Sequence, residues 1–271
     1  MKYRILTFLI LITTIGFYSC NKTGHREQKG ENRISGNSGS DKVQNNAAQV
    51  LAKPQIPVLC YHRIAEGKES EYKVTPSTFS AHIQILADSG YHSVSPEQLY
   101  NYLTANAPLP EKPFMITFDD SRAEHFQIAA PVLEKHGFRG VFFIMTITYN
   151  KKNYMTTDQI AKLAGAGHTI GLHSWDHTMA TKYTEETDWQ KQVVMPKKKL
   201  EGIIGKPVEY WAYPYGICNS KTAASMSKYF KLSFILSTKR DSVNPLQTVR
   251  RMITPENLTP QGLLKSMRRS F

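Results

Sequence analysis

Asp119 and Asp120 close an apolar run, Phe114-Met115-Ile116-Thr117-Phe118, and His173 and His177 follow on a separate segment, Gly171-Leu172-His173-Ser174-Trp175-Asp176-His177. A stretch of β-forming residues that ends abruptly in two carboxylates and the small Ser121 reads as a strand with charge at its C-terminal end. In barrel-like α/β folds that edge is where chemistry sits. Histidines four apart share one face of a helical turn and can reach a single ion together. One carboxylate and two imidazoles make three protein ligands and leave positions open for water and substrate. The other carboxylate is then free to act as a base. The same donor types serve non-haem iron oxygenases. Here the carboxylate lies far upstream of both histidines and has a second aspartate beside it, which favours hydrolysis over oxygen chemistry. Taken alone, each half has a plain alternative: a solvated acidic loop, and exposed histidines that bind nothing.

These residues need a frame, and the chain of 271 residues fits one α/β domain with appendages. Strands are expected at 56–61, 114–118, 140–145, 168–172, 207–212, 232–236 and 249–252. Helices are expected at 76–89, closed by Gly90, and at 95–102, capped by Ser95 with Pro96 in the first turn. Further helices are expected at 122–136, 156–164, 185–204, 221–229 and 260–267. Repeated strand–helix order implies a parallel sheet with helices outside it, and order alone allows an open sheet or a barrel.

At the N-terminus, Lys2 and Arg4 precede an apolar stretch from Ile5 to Phe17 that is too short for a stable membrane span. Ser19-Cys20 follows. Residues 1–19 read as a lipoprotein-type signal peptide, with cleavage before Cys20 and lipid on its thiol. Phe17-Tyr18 departs from the usual Leu-small pattern, and an uncleaved anchor or simple secretion are the alternatives. Residues 20–53, rich in Asn, Gly, Ser, Lys and Gln, read as a flexible tether, and 54–271 as the folded domain. The formal charge of +12 suits an anionic neighbourhood. No nucleic-acid motif is present, so the cell envelope is the expected setting. Cys60 reads as a buried small hydrophobe; a disulfide to Cys218 is the alternative.

The strings TFDDS, HSWDH and AYPYG, in that order and spacing, resemble the polysaccharide deacetylases with the NodB-homology domain. IPVLCYHRI at 56–64 and LAGAGHTIGLHSWDH at 163–177 reinforce the likeness, which runs from about Ile56 to near the C-terminus. The YHRI opening is similar to the biofilm branch that acts on poly-N-acetylglucosamine. The resemblance implies an irregular (β/α) barrel and a hydrolase that uses a divalent ion, zinc first, with cobalt, nickel or iron as alternatives. It implies Asp120, His173 and His177 as metal ligands and Asp119 as catalytic base; the alternative for Asp119 is a group that only orients a ligand. It implies that the N–H of Tyr215, after Pro214, helps bind the oxyanion, with Tyr213 in the same turn either taking part or capping the barrel. Many members carry an arginine that contacts the base where this chain has Tyr213, so the tuning of Asp119 is expected to differ. Ser121 stands in place of the usual glycine, a slight departure unless φ is positive. Trp175 and Trp211 are expected to pack rather than stack on sugar. Asp176 is expected to be a solvated loop acid, the alternative being a group that supports the metal ligands, and His168 structural; His82, His92, His125 and His136 are assigned no role.

Many members also carry a late histidine that protonates the leaving amine, and this chain has none after His177. His62 follows the strand 56–61 and is assigned that role, at the barrel's C-terminal face and on the side opposite Asp119. The alternatives are a His62 that bonds loop backbone or places substrate, and a water-relayed proton from Asp119. The chain thus reads as an exported, lipid-anchored monomer that N-deacetylates N-acetylglucosamine units in a surface or envelope polysaccharide and binds no nucleic acid. The alternatives are peptidoglycan or another glycan as substrate, with N- or O-acetyl groups, and a non-catalytic glycan-binding member of the fold.

Overall fold

The computed structural model describes residues 44–68 and 70–271. The expected signal peptide, Cys20 and most of the tether lie outside the described residues. The strands are β1 (Val58–Tyr61), β2 (Arg63–Ile64), β3 (Lys73–Val74), β4 (His92–Ser93), β5 (Pro113–Phe118), β6 (Val141–Ile144), β7 (Thr169–Leu172), β8 (Tyr210–Ala212), β9 (Leu232–Ile235), β10 (Val249–Arg250) and β11 (Met252–Ile253). The main sheet runs β10-β9-β8-β7-β6-β5-β1-β11, with β4 beside β5, and its strand pairings are parallel.

The two ends of this sheet are one stretch of chain. Val249 and Arg250 pair with Phe234 and Ile235 of β9, whereas Met252 and Ile253 pair with Leu59 and Cys60 of β1. Arg251 stands between, its N–H donating to the Ile235 carbonyl at 3.0 Å. The sheet thereby nearly closes into a barrel with helices around it, the architecture the resemblance implied.

Side chains along a strand alternate between its faces. Leu59, Tyr61, Ile116 and Phe118 join the large apolar cluster that includes helix residues such as Phe79, Ile83 and Leu133. Val58, Met115, Val141, Phe143, Phe234 and Val249 form a second cluster on the other face. The alternation that places Val58 and Met115 on this inner face also places Cys60, Thr117 and Asp119 there. Val249 brings Arg251 with it. The strand period therefore delivers polar groups to one end of an apolar interior.

The tether is shorter than the sequence suggested. Ala47–Ala52 is a helix, and Asn46 and Gln49 cap it reciprocally. Val50 is 1% exposed and belongs to the inner cluster. One docked valine in a polar run is too sparse a signal for composition to reveal. Two expected helices are also interrupted. At 122–136 the chain makes a π-turn over His125–Ala129 before Ala130–Lys135. At 185–204 it runs through Glu186–Trp189, a π-turn at Gln190–Val194 and Met195–Ile204. Pro131 and Pro196 follow the two π-turns. Proline lacks the amide for an i→i−4 bond and clashes with that carbonyl, and a wider turn just before it removes the conflict. Among the described residues no helix is long and apolar enough to cross a membrane.

Candidate metal centre and active site

Asp119 and Asp120 leave the end of β5 in opposite senses. Asp119 extends the inner face, and its N–H donates to the Tyr61 carbonyl at 3.0 Å. Asp120 turns away with φ 75°, followed by Ser121 at 58°. Both lie in the left-handed region that side chains other than glycine rarely adopt. The serine is therefore not a neutral replacement for glycine. Its Oγ accepts from the Met145 N–H at 2.7 Å and its carbonyl accepts from the Met155 N–H at 2.9 Å, which anchors the turn.

β7 delivers His173. The segment 173–177 is a bend rather than the expected helical turn, because Ser174 and His177 have φ of 66° and 71°. Ser174 Oγ accepts from the His177 N–H at 2.8 Å and holds the bend closed. The imidazoles converge all the same, with ring centroids 4.9 Å apart. His173 Nδ1 donates to the Ala212 carbonyl at 2.7 Å, which fixes the tautomer and leaves Nε2 with a free lone pair. Burial pulls the His173 pKa down against the raising effect of Asp119 and Asp120, so the ring is neutral.

Asp120 Oδ1 lies 3.7 Å from His173 Nε2 and 3.6 Å from His177 Nε2. It is buried and has no hydrogen-bond partner among the described residues. The donor atoms of these three residues lie within 4.8 Å of one another. Leaving such an oxygen unsatisfied is costly. A cation between the three donors removes that cost, and one carboxylate with two imidazoles suits a divalent ion of the zinc type with open positions. The donor set fits the group the resemblance implied.

Asp119 has a different partner. Arg251 Nη1 donates to Oδ1 at 2.7 Å and Nη2 to Oδ2 at 2.8 Å. Nη1 also reaches Thr117 Oγ1 at 3.2 Å, and the guanidinium lies 5.5 Å from the Phe143 ring centroid. Burial alone would raise the Asp119 pKa. The Arg251 charge and hydrogen bonds, with His173 and His62, outweigh it and hold the carboxyl well below the usual carboxylate range. The arginine missing at Tyr213 is thus supplied by the strand that closes the barrel. The sequence reading missed Arg251, although a charged residue in phase with Val249 was a visible signal.

His62 lies in the site but beside Asp119, not opposite it: His62 Nε2 is 3.9 Å from Asp119 Oδ2. Register is the reason. Tyr61 pairs with Phe118, so the residues after each strand emerge side by side. The His62 carbonyl accepts from His125 Nε2 at 2.5 Å. Burial pushes the His125 pKa down to about 4, which makes it a neutral donor. Burial also pulls the His62 pKa below its ordinary value, against the raising effect of Asp119 and Asp120.

Tyr213 and Pro214 do not face the site. Tyr213 is fully buried, with its ring edge-on to Trp211, and therefore cannot touch substrate. Tyr215 is 56% exposed, takes φ 59° and ψ 6°, and sets its ring centroid 4.5 Å from that of His177. Trp211 packs in the core as expected, and Trp175 is half-buried with Lys191 Nζ 4.5 Å from its ring centroid. Asp176 is not merely solvated: it accepts from the Thr178 N–H, the Thr178 hydroxyl and the Gln192 amide, and so braces the histidine loop. His168 is structural, its Nδ1 accepting from the Gly140 N–H. Among the described residues Cys60 and Cys218 form no disulfide with each other. His62, Asp119, Asp120, His173, His177 and Tyr215 share one open pocket of about 360 Å³ at the C-terminal edge of the strands.

Residues 106–230 match the family model described as polysaccharide deacetylase. A putative polysaccharide deacetylase of Bacillus subtilis is 29% identical over 174 residues, which cover 64% of this chain and 61% of the relative. The chain thus spans less than two thirds of that relative's length. A poly-beta-1,6-N-acetyl-D-glucosamine N-deacetylase of Staphylococcus aureus is 24% identical over 272 residues, 90% of each chain. The fold is shared with a Streptococcus pyogenes deacetylase solved in complex with acetate, at a TM-score of 0.73 and 24% identity, over 79% of this chain and 98% of that one.

Proposed function

The chain belongs to the polysaccharide deacetylase family, and from that premise we propose that it hydrolyses the acetamide of N-acetylglucosamine units in a surface or envelope polysaccharide. A divalent ion would be held by Asp120, His173 and His177. One observation carries this reading. A buried carboxylate oxygen with no hydrogen-bond partner among the described residues converges with two imidazole nitrogens, beside a second carboxylate already paired with Arg251. The Staphylococcus aureus relative, aligned over 90% of this chain, supports poly-N-acetylglucosamine as the polymer.

An ion in that set supplies Lewis acidity, which lowers the pKa of water and polarises an acetyl carbonyl; zinc suits the donors, and cobalt, nickel or iron are alternatives. The protein's own groups do the rest. Asp119 accepts the proton of the attacking water. Arg251 keeps it ionised and aimed. The acetamide C–N bond breaks, acetate leaves, and the amine nitrogen takes a proton. We assign the delivery of that proton to His62, and its distance of 3.9 Å from Asp119 supports the assignment. We assign the N–H of Tyr215, in its left-handed turn, to the developing oxyanion. Envelope location through a lipid on Cys20, and a monomeric state, rest on the sequence alone; mass spectrometry of the mature N-terminus tests the lipid.

The function is tested by acetate release from β-1,6-linked poly-N-acetylglucosamine, chitin oligomers, peptidoglycan and an O-acetylated glycan, each with and without chelator. Acetate is expected from the first polymer, lost with chelator and restored by zinc. Release that persists in chelator overturns the metal. Release from peptidoglycan alone moves the substrate to the runner-up.

A further inference from the structure

The end of β1 carries a second group of metal-type donors. Cys60 and His62 are two residues apart, so the strand period puts both on one face. Tyr61 pairs with Phe118, so Asp119 leaves β5 beside His62 on that same face. Cys60 Sγ lies 3.7 Å from Asp119 Oδ2 and 3.9 Å from His62 Nδ1, and His62 Nε2 lies 3.9 Å from Asp119 Oδ2. One donor atom from each of the three falls within 4.8 Å of the others, the same closeness as in the set Asp120, His173 and His177. Bonds of about 2.0–2.3 Å to oxygen, nitrogen and sulfur place donors about 3.3–3.8 Å apart around one ion, so only small side-chain shifts are needed. Cys60 is fully buried, whereas His62 and Asp119 line the open pocket, which gives an ion its way in.

Sulfur sets this group apart from the other. A thiolate beside imidazole and carboxylate favours soft ions, such as cadmium, copper(I) or zinc in excess, over magnesium and calcium. Burial pushes the Cys60 thiol above its ordinary range, so the sulfur keeps its proton until an ion with strong affinity for sulfur displaces it. The S–H bond then breaks, a metal–sulfur bond forms and the proton leaves to solvent. Asp119 is not idle either, because both its oxygens accept from Arg251. A carboxylate oxygen has two lone pairs, so Oδ2 can keep its arginine bond and still face an ion. The guanidinium charge nonetheless opposes a second cation. The group therefore fills after the Asp120 set, and only when the ion is in excess. We infer that Cys60, His62 and Asp119 form a second cation site, selective for thiophilic ions, whose occupation switches the protein off by taking Asp119 and His62 out of use. The inhibition rests on the deacetylase reading; the binding does not.

The test adds cadmium in excess to the full, zinc-loaded chain. A cadmium–sulfur bond brings an ultraviolet charge-transfer absorption, and the Asp120, His173 and His177 set has no sulfur to produce one. The parent is expected to bind a second ion with that absorption. Its acetate release is expected to fall by about 10²-fold or more, the loss typical when a general base is removed. Magnesium at the same concentration is expected to do neither. Cys60→Ser keeps the side-chain size and Cys60→Ala removes the donor outright, so the inference does not hang on the folding of one variant. In both, second-ion binding is expected to weaken on the order of tenfold or more, and the absorption to drop relative to the parent. That difference assigns the absorption to Cys60 rather than to Cys218. Each protein's rate with cadmium is divided by its own rate without it, and this ratio is expected to rise toward one in the variants. If no protein releases acetate, a second ion whose absorption disappears with Cys60 still supports the site, and the deacetylase reading fails alone. Binding and absorption equal in parent and both variants, or cadmium inhibition equal in all three, overturns the site even where acetate release proceeds.

Discussion

Asp119 and Asp120 are neighbours in the chain and opposites in environment. Around Asp119 every charge is answered from within the protein: Arg251 holds both carboxylate oxygens, Thr117 bonds the arginine, and the group is 1% exposed. Around Asp120 the account is open: Oδ1 faces two imidazole nitrogens at 3.6–3.7 Å with no hydrogen bond among the described residues. The backbone follows the same division. Asp119 continues a strand, whereas Asp120, Ser121, Ser174, His177 and Tyr215 all take positive φ. Strained backbone that the surroundings hold in place is characteristic of functional sites. The carboxylate of one half is satisfied within the protein, and that of the other is left to the ion we propose.

That contrast is broken most severely on the open side. A His173→Ala/His177→Ala double variant removes two of three donors and is expected to lose bound metal and turnover together, by more than about 10³-fold, the scale on which water activation depends. Metal analysis beside acetate release checks this. Full metal occupancy in the double variant would remove Asp120, His173 and His177 as the ligand set.

On the closed side the expected loss is of stability first. Arg251→Met leaves a buried carboxylate without its counter-charge, which typically costs about 3–5 kcal/mol. In the parent, the depressed Asp119 pKa contributes stability at neutral pH that is lost only as pH falls through its low folded value. In Arg251→Met, burial is opposed only by His173 and His62, and the pKa rises. Turnover should then appear only at higher pH, with the acid limb moved upward and the metal retained. A pH–rate profile and denaturant unfolding of the same variant check both halves. An unmoved acid limb would show that Arg251 supports the fold without setting the charge of Asp119.

The two sides also differed in how far the sequence revealed them. Asp119, Asp120, His173 and His177 could be read because each ends a strand or follows one closely, and local pattern reports strand ends. The matched family segment, 106–230, contains all four. His62 and Arg251 lie outside it, and their relation to Asp119 depends on which strands pair. The Tyr61–Phe118 register sets His62 beside the aspartate, and only barrel closure through 249–253 brings in Arg251. Neither pairing has a local signature; the phase of Arg251 with Val249 shows only that it faces the interior. Tyr213 failed for the converse reason: its place in a motif suggested contact with the site, but strand phase turned it into the core. Left-handed φ at Ser121 and His177 was invisible because nothing in a serine or a histidine announces it.

The next smaller effect concerns proton delivery. Burial lowers the His62 pKa from 6.5, and the neighbouring carboxylates do not restore it. If protonated His62 hands on the proton, kcat/KM must fall as pH rises through a value below 6.5. His62→Ala should keep its metal, lower the rate by about 10²-fold and lose that limb. A limb that survives in His62→Ala assigns the proton to another group and leaves His62 as a substrate contact.

The smallest effect tests whether the left-handed turn on the open side is strained or supported. Ser121→Gly relieves a positive φ of 58°, a change worth about 1 kcal/mol in favour of the variant. It also deletes the Oγ that accepts from the Met145 N–H at 2.7 Å, leaving a buried donor at a cost of about 1–3 kcal/mol. Glycine's greater freedom in the unfolded chain adds about 0.5–1 kcal/mol against it. The loss exceeds the relief, so the variant should be less stable by about 1–2 kcal/mol, a fall in melting temperature of several degrees for a domain of this size. Turnover should stay within about twofold, because the Met155 N–H still bonds the carbonyl of residue 121 and holds the turn. A melting temperature that rises instead would mean that strain at Ser121 outweighs its hydrogen bond. The open half of the site would then be held against its own backbone preference, and binding of the ion, rather than the Ser121 anchor, would be what keeps Asp120 turned toward His173 and His177.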